Sequence, residues 1–72
     1  MKVNYDYEAD VLIFLLSDNP PVDSVEESGG VIISYGIDGE PVTVEFLNAS
    51  RHNILKPGEL NITFQTKNSA AA

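Results

Sequence analysis

Apolar and polar positions alternate along this chain in short bursts separated by turn residues, and no long amphipathic helix is visible. Lys2–Asp6 alternates with Val3 and Tyr5 on one face, which predicts a short strand. The polar stretch Asp6–Asp10 predicts a turn. Val11–Leu16 is apolar on both faces and too short for a typical helix, so it predicts a central strand. Pro20 and Pro21 end it, because proline cannot donate to a sheet ladder. Val22–Glu27 is a weaker, acidic strand. A tight Ser28-Gly29-Gly30 turn leads from it into Val31–Tyr35. Asp38-Gly39 between two strand-like runs predicts a hairpin that needs positive φ. Its second arm is Pro41–Leu47, with Val42, Val44 and Phe46 on one face and Thr43 and Glu45 on the other. Asn48–His52 predicts one helical turn that Asn48 can cap. Lys56–Glu59 predicts a further turn, and Leu60–Thr66 a last strand with Leu60, Ile62 and Phe64 inward.

The expected fold is therefore mainly β. It is a small antiparallel meander of five or six strands, curled as a half-barrel or small sandwich, with one short helical turn near Asn48–His52. Residues 1–67 read as a single domain, and 68–72 as a frayed tail.

Composition narrows the function classes. The chain has 72 residues and no cysteine, so disulfides and zinc–thiolate sites are excluded. A domain this short has a thin core and usually leans on a metal, a disulfide or another subunit. One histidine is too few for a multi-histidine metal site within one chain. Eleven acidic residues against four basic ones give a net charge of -7, which opposes direct binding to nucleic acid or to an anionic membrane. The same charge favours solubility or a basic protein partner. The start of the chain is unlike a signal peptide, and no apolar run approaches the roughly 20 residues of a membrane span, so a cytoplasmic location is expected.

The second strand sets a physical problem. If Leu12, Phe14 and Leu16 face the core, then Val11, Ile13 and Leu15 point to the other side of the sheet. Full exposure of Ile13 and Leu15 forfeits about 1.5–3 kcal/mol each relative to burial. Either another part of the chain, the last strand or Asn48–Asn53, covers them, or they sit in a contact with another copy or another protein.

Tyr5-Asp6-x-Glu8-Ala9-Asp10-x-Leu12, then Asp38-Gly39, then Val44-Glu45-Phe46-Leu47-Asn48-Ala49-Ser50 resembles a family of small uncharacterised prokaryotic proteins, a domain of unknown function. Its pattern runs Y-D-x-E-A-D-x-L, then D-G, then I-E-I-L-D-A-S, and the resemblance covers residues 1 to about 53. It implies a compact β-rich module with an antitoxin-like or partner-binding role. This chain departs from the pattern at Ile13 and Leu15, where the family is polar or amphipathic. It also has Thr43 in place of a glycine and Asn48 in place of an aspartate.

Candidate chemistry is sparse. Asp6, Glu8 and Asp10 alternate like the start of a calcium loop, but the sixth and twelfth positions, which need Gly and Glu, hold Val11 and Ser17. A turn whose acidic side chains hold nearby amides is the plainer reading, and no metal or cofactor is expected. Arg51-His52 invites acid–base chemistry, yet no nucleophile signature accompanies it, and His52 reads as a surface residue. No catalytic residue is assigned.

Asp23, Glu26 and Glu27 form an acidic cluster. It suits either a charged edge strand kept soluble or a patch for a basic partner. The expected function is non-enzymatic protein binding, with Ile13, Leu15, Asp23, Glu26 and Glu27 as the contact and a small basic protein or a second copy of the chain as partner. Two alternatives stand beside it. One is an acidic nucleic-acid mimic; the other is a ligand site or enzyme built at a subunit interface around His52.

Overall fold

The computed structural model describes residues 1–52 and 61–67. Five antiparallel strands form one open sheet: β1 (Lys2–Asp6), β2 (Val11–Leu15), β3 (Asp23–Glu27), β4 (Val31–Tyr35) and β5 (Pro41–Leu47). A 3-10 turn, Ala49–His52, follows β5. The mainly β, antiparallel architecture and the helical turn are those the sequence predicts. The strand order is β1-β2-β5-β4-β3, which departs from a sequential meander at one point. After β2 the chain crosses to the far edge, so β3, β4 and β5 run back toward β2 and close on it.

Burial explains that crossing. β2 is apolar on both faces and earns a central place, with β1 on one side and β5 on the other. β3 carries Asp23, Glu26 and Glu27, is exposed along its whole length, and takes an edge.

Register assigns each side chain to a face. Tyr5, Leu12, Phe46 and Val31 form one cross-strand row, and Val3, Phe14, Val44, Ile33 and Val25 the next; together they make the Leu12 face. On the opposite face, Asn4, Ile13, Glu45, Ile32 and Glu26 form one row, and Lys2, Leu15, Thr43, Ser34 and Ser24 another. This is the Ile13 face.

The core is small. Leu12 and Ala49 are completely buried and Val42 nearly so. Val3, Tyr5, Phe14 and Phe46 pack around the Leu12–Ala49 contact, and the Phe14 and Phe46 rings meet edge to face at 6.0 Å. The 3-10 turn is thus the lid on one end of the Leu12 face. Among the described residues no second sheet or helix layer stacks on either face.

The turns follow their sequence signals. Gly29 and Gly30 both take positive φ between β3 and β4. Between β4 and β5 only Gly39 does, at 81°, with the Gly39 amide donating to the Gly36 carbonyl at 3.0 Å. The Asp-Gly pair therefore sits in a five-residue loop with one left-handed residue and a register shift at Ser34/Tyr35.

The expected last strand is not formed. Asn61–Thr66 makes no ladder, and Ile62 and Phe64 are 42% and 70% exposed rather than inward. Alternation is a local signal, while a strand needs a neighbour's free edge, and here β1 and β3 remain the two sheet edges. The expected Lys56–Glu59 turn, Leu60 and the 68–72 tail lie outside the described residues.

Candidate functional site

The pattern Tyr5-Asp6-x-x-x-Asp10 and its distant partner Asn48-Ala49-Ser50 come together at one end of the sheet. Asp6 folds the β1–β2 loop, its Oδ1 accepting from the Glu8 and Ala9 amides at 3.0 Å each. Asp10 closes that loop in the left-handed region, φ 55°, which aspartate tolerates better than most residues. From there its carboxylate accepts three hydrogen bonds. Oδ1 accepts from the Tyr5 hydroxyl at 2.8 Å and from the Ser50 amide at 3.0 Å. Oδ2 accepts from the Ser50 hydroxyl at 2.6 Å. The Asp10 carbonyl takes the Ala49 amide at 2.9 Å.

This network is a clasp. It ties the β1–β2 loop to the 3-10 turn forty residues later and seats Ala49 on Leu12. Asn48, at φ 52°, makes the left-handed step out of β5, and its carbonyl accepts from the Arg51 amide at 2.9 Å. The hydrogen bond from Ser50 and then that from Tyr5, with Arg51 nearby, hold the Asp10 carboxyl below its ordinary range against the opposing effect of partial burial. The same bond to Asp10, followed by partial burial, raises the Tyr5 hydroxyl above its ordinary value. Both groups therefore keep their neutral-pH charge states more firmly than free side chains.

The acidic triplet of this loop is divided in its work. Asp6 and Asp10 hold amides and hydroxyls, while Glu8 contributes its backbone N–H to Asp6. Among the described residues no three His, Asp or Glu side chains converge as cation ligands.

His52 is half-buried, not a surface residue. Its ring meets Phe46 edge to face at 5.8 Å, and Nε2 lies 3.0 Å from the Leu47 carbonyl. A carbonyl only accepts, so Nε2 carries the proton. The ring also lies against the β3–β4 turn, where a Cβ at Gly29 would meet His52 at 3.9 Å and one at Gly30 would meet Leu47 at 3.4 Å. His52 is a packing residue that fastens this turn to the end of β5.

The five residues chosen from sequence are split by the fold. Ile13, Leu15 and Glu26 share the Ile13 face, whereas Asp23 and Glu27 lie on the Leu12 face of the edge strand. Asp23 accepts from the next amide, Ser24, at 2.9 Å. Ile13 lies between Asn4 and Glu45, and Leu15 between Lys2 and Thr43. Both are half-buried by these neighbours. The 3-10 turn covers Leu12 on the other side, so it does not cover Ile13 or Leu15.

Sequence reasoning missed two members of this face. Ile32 sits beyond Glu45 in the row of Ile13, and Leu47 pairs with Val11. Strict alternation within β4 and β5 was the available signal, but it needed the β2–β5 pairing to bring them beside Ile13.

The family described as "Protein of unknown function (DUF2283)" matches residues 2–50, and the chain belongs to it. The match spans all five strands and ends at Ser50, the last member of the clasp. No curated protein and no solved structure matches the chain. No helix among the described residues is long and apolar enough to cross a membrane.

Proposed function

We propose that this member of the family is a non-enzymatic protein-binding module, antitoxin-like in action, that holds a small basic protein on the Ile13 face. The observation that carries this reading is the cross-strand row Ile13–Glu45–Ile32–Glu26, in which apolar and acidic side chains alternate across four neighbouring strands. Leu15 extends the apolar part in the next row. A basic side chain laid across this row meets a carboxylate beside each apolar contact. Apolar area holds such a complex, and the acids set orientation and association rate. Asp23, Glu26 and Glu27, all exposed on the β3 edge, extend the negative field and steer the partner.

The clasp and His52 support the non-enzymatic part of the reading. Asp10, Ser50 and Tyr5 spend their polar atoms on one another, and His52 spends Nε2 on a backbone carbonyl. Groups committed to structure in this way are poor acids, bases or nucleophiles.

The test is affinity capture of the tagged chain from its native lysate, with Ile13→Arg/Leu15→Arg alongside and circular dichroism to confirm that the variant folds. The expected result is a small basic protein retained by the parent, lost with the variant, and released as salt is raised. A partner retained equally by the folded variant overturns the assignment of this face. Capture of nucleic-acid-binding proteins that DNA competes away turns the reading to mimicry.

A further inference from the structure

The two edges of the sheet differ in what they offer to a second copy of the chain. Ladder alternation shows which backbone groups are free on β1. The Leu16 amide donates to the Val42 carbonyl at 2.7 Å, so Leu16, Phe14 and Leu12 direct their amides and carbonyls toward β5. Val11, Ile13 and Leu15 then turn theirs toward β1, where they meet Asp6, Asn4 and Lys2. Val3 and Tyr5 are left with N–H and C=O aimed at the outer edge, where no other described strand pairs with them.

We infer that β1 is a dimerisation edge, on which two copies pair antiparallel about a two-fold axis through Asn4. In that register Val3 faces the partner's Tyr5, and the free amides and carbonyls of both residues match in two hydrogen-bonded pairs. Lys2 faces the partner's Asp6, twice by symmetry, on the Ile13 face. Asn4 faces the partner's Asn4, amide to amide, in the close non-hydrogen-bonded position. Met1 and the partner's Tyr7, each strongly exposed in one copy at 67% and 84%, come opposite each other. Opposite charges across strands stabilise such a pair, and the result is one continuous ten-stranded sheet.

The other edge excludes the same arrangement. A two-fold through Val25 on β3 sets Asp23 against the partner's Glu27 twice, like charge on like. Lys2 is one of only four basic residues in a chain of net charge -7, and it lies on the one edge where an acid of a second copy meets it. This inference uses a sheet edge that borders the proposed binding face, and it needs none of the contact residues named there.

The test begins with sedimentation of the parent chain over the micromolar range, where a dimer is expected. The chain has no cysteine, so Asn4→Cys introduces a single thiol. Its Cα lies about 4.5 Å from its symmetry mate in this register, a span a disulfide bridges. Mild oxidation is expected to give a covalent dimer with Asn4→Cys and none with Ser24→Cys on β3. Lys2→Glu, which places acid against acid, is expected to weaken the dimer by about tenfold, less at high salt. Ile13→Arg/Leu15→Arg is expected to leave it intact.

A parent that stays monomeric throughout overturns the inference. So does a dimer that folded Asn4→Cys fails to trap, or one that Lys2→Glu leaves unchanged. A dimer lost with Ile13→Arg/Leu15→Arg and kept with Lys2→Glu moves the self-contact to the sheet face and counts against both proposals.

Discussion

The β1–β2 hairpin and the β3–β4 hairpin are built from strands of the same length, yet they are held in different ways. The first is fastened by side chains. Leu12 is buried under Ala49, and Asp10 binds Tyr5 and Ser50. Both share a ladder to β5, but the second leans more on backbone: two left-handed glycines and the Leu47 amide donating to the Gly30 carbonyl at 2.8 Å, with the His52 ring as the side chain laid against its turn. Its outer strand is exposed at every residue. Among the described residues, which form a single open sheet with no second layer, side-chain stability gathers where the helical turn acts as a lid. The far hairpin is left to supply charge and surface.

The largest test of that contrast is Leu12→Ala. A fully buried leucine costs about 2–5 kcal/mol when truncated. A chain of this length holds roughly 4–11 kcal/mol in all. The variant is expected to lose much of its urea midpoint, with near-unfolded behaviour at 37 °C. A loss below about 1 kcal/mol would mean that the Leu12–Ala49 contact is not the centre of the core.

Next in size is a pair of glycine substitutions in the turns. Gly30 and Gly39 share a left-handed φ, 79° and 81°, so alanine costs each of them backbone strain of about 1–2 kcal/mol. At Gly39 nothing lies within 4 Å of the added carbon. At Gly30 it meets the Leu47 Cβ at 3.4 Å and lies 4.0 Å from His52 Nε2. Gly30→Ala is therefore expected to lower the melting temperature more than Gly39→Ala. Equal losses would show that His52 and Leu47 do not grip the β3–β4 turn.

These tests also separate what was legible in the chain from what was not. The strands up to Leu47 can be read from alternation or from short apolar runs, because each is short and bounded by turn residues. The helical turn after Asn48 was legible, but not the part Asn48 plays: in place of a side-chain cap it makes a left-handed step, φ 52°, and its backbone carbonyl accepts the Arg51 amide. The place of β3 at the far edge was not legible, since strand order depends on which edges compete for β2 and β5. Nor was the reach of Asp10 to Ser50: the two motifs could be seen, and the forty residues between them hid that they touch. The alternation of Leu60–Thr66 misled for the same reason, being a local pattern with no ladder to join among the described residues.

Asp10→Asn sharpens the contrast through pH. Asparagine keeps the left-handed turn but loses the charge that three hydrogen bonds favour. The folded carboxyl titrates below its ordinary value. Its contribution is therefore complete above the unfolded value near 4 and is lost as pH falls through the folded one. The parent is expected to be more stable than Asp10→Asn at pH 7, and the gap to close below about pH 4. Urea titrations of both proteins at neutral and acid pH measure it. A gap independent of pH would show that the clasp works through shape and not through the carboxylate charge.

The smallest effect is expected at the other hairpin. Val25 is 41% exposed in the middle of β3, with Ile33 beside it on the Leu12 face. Threonine has the same branched shape and a similar preference for strands, and water is already present to solvate its hydroxyl. Val25→Thr is therefore expected to move the urea midpoint by less than about 0.5 kcal/mol equivalent. Its value as a test lies in the opposite result. A loss above about 1 kcal/mol at this site would require Val25 to be covered in solution, and no described residue of the same chain covers it. The cover would then be another molecule on the Leu12 face. The β3–β4 hairpin would count as an interface completed by its partner, rather than as the loosely held margin of the sheet.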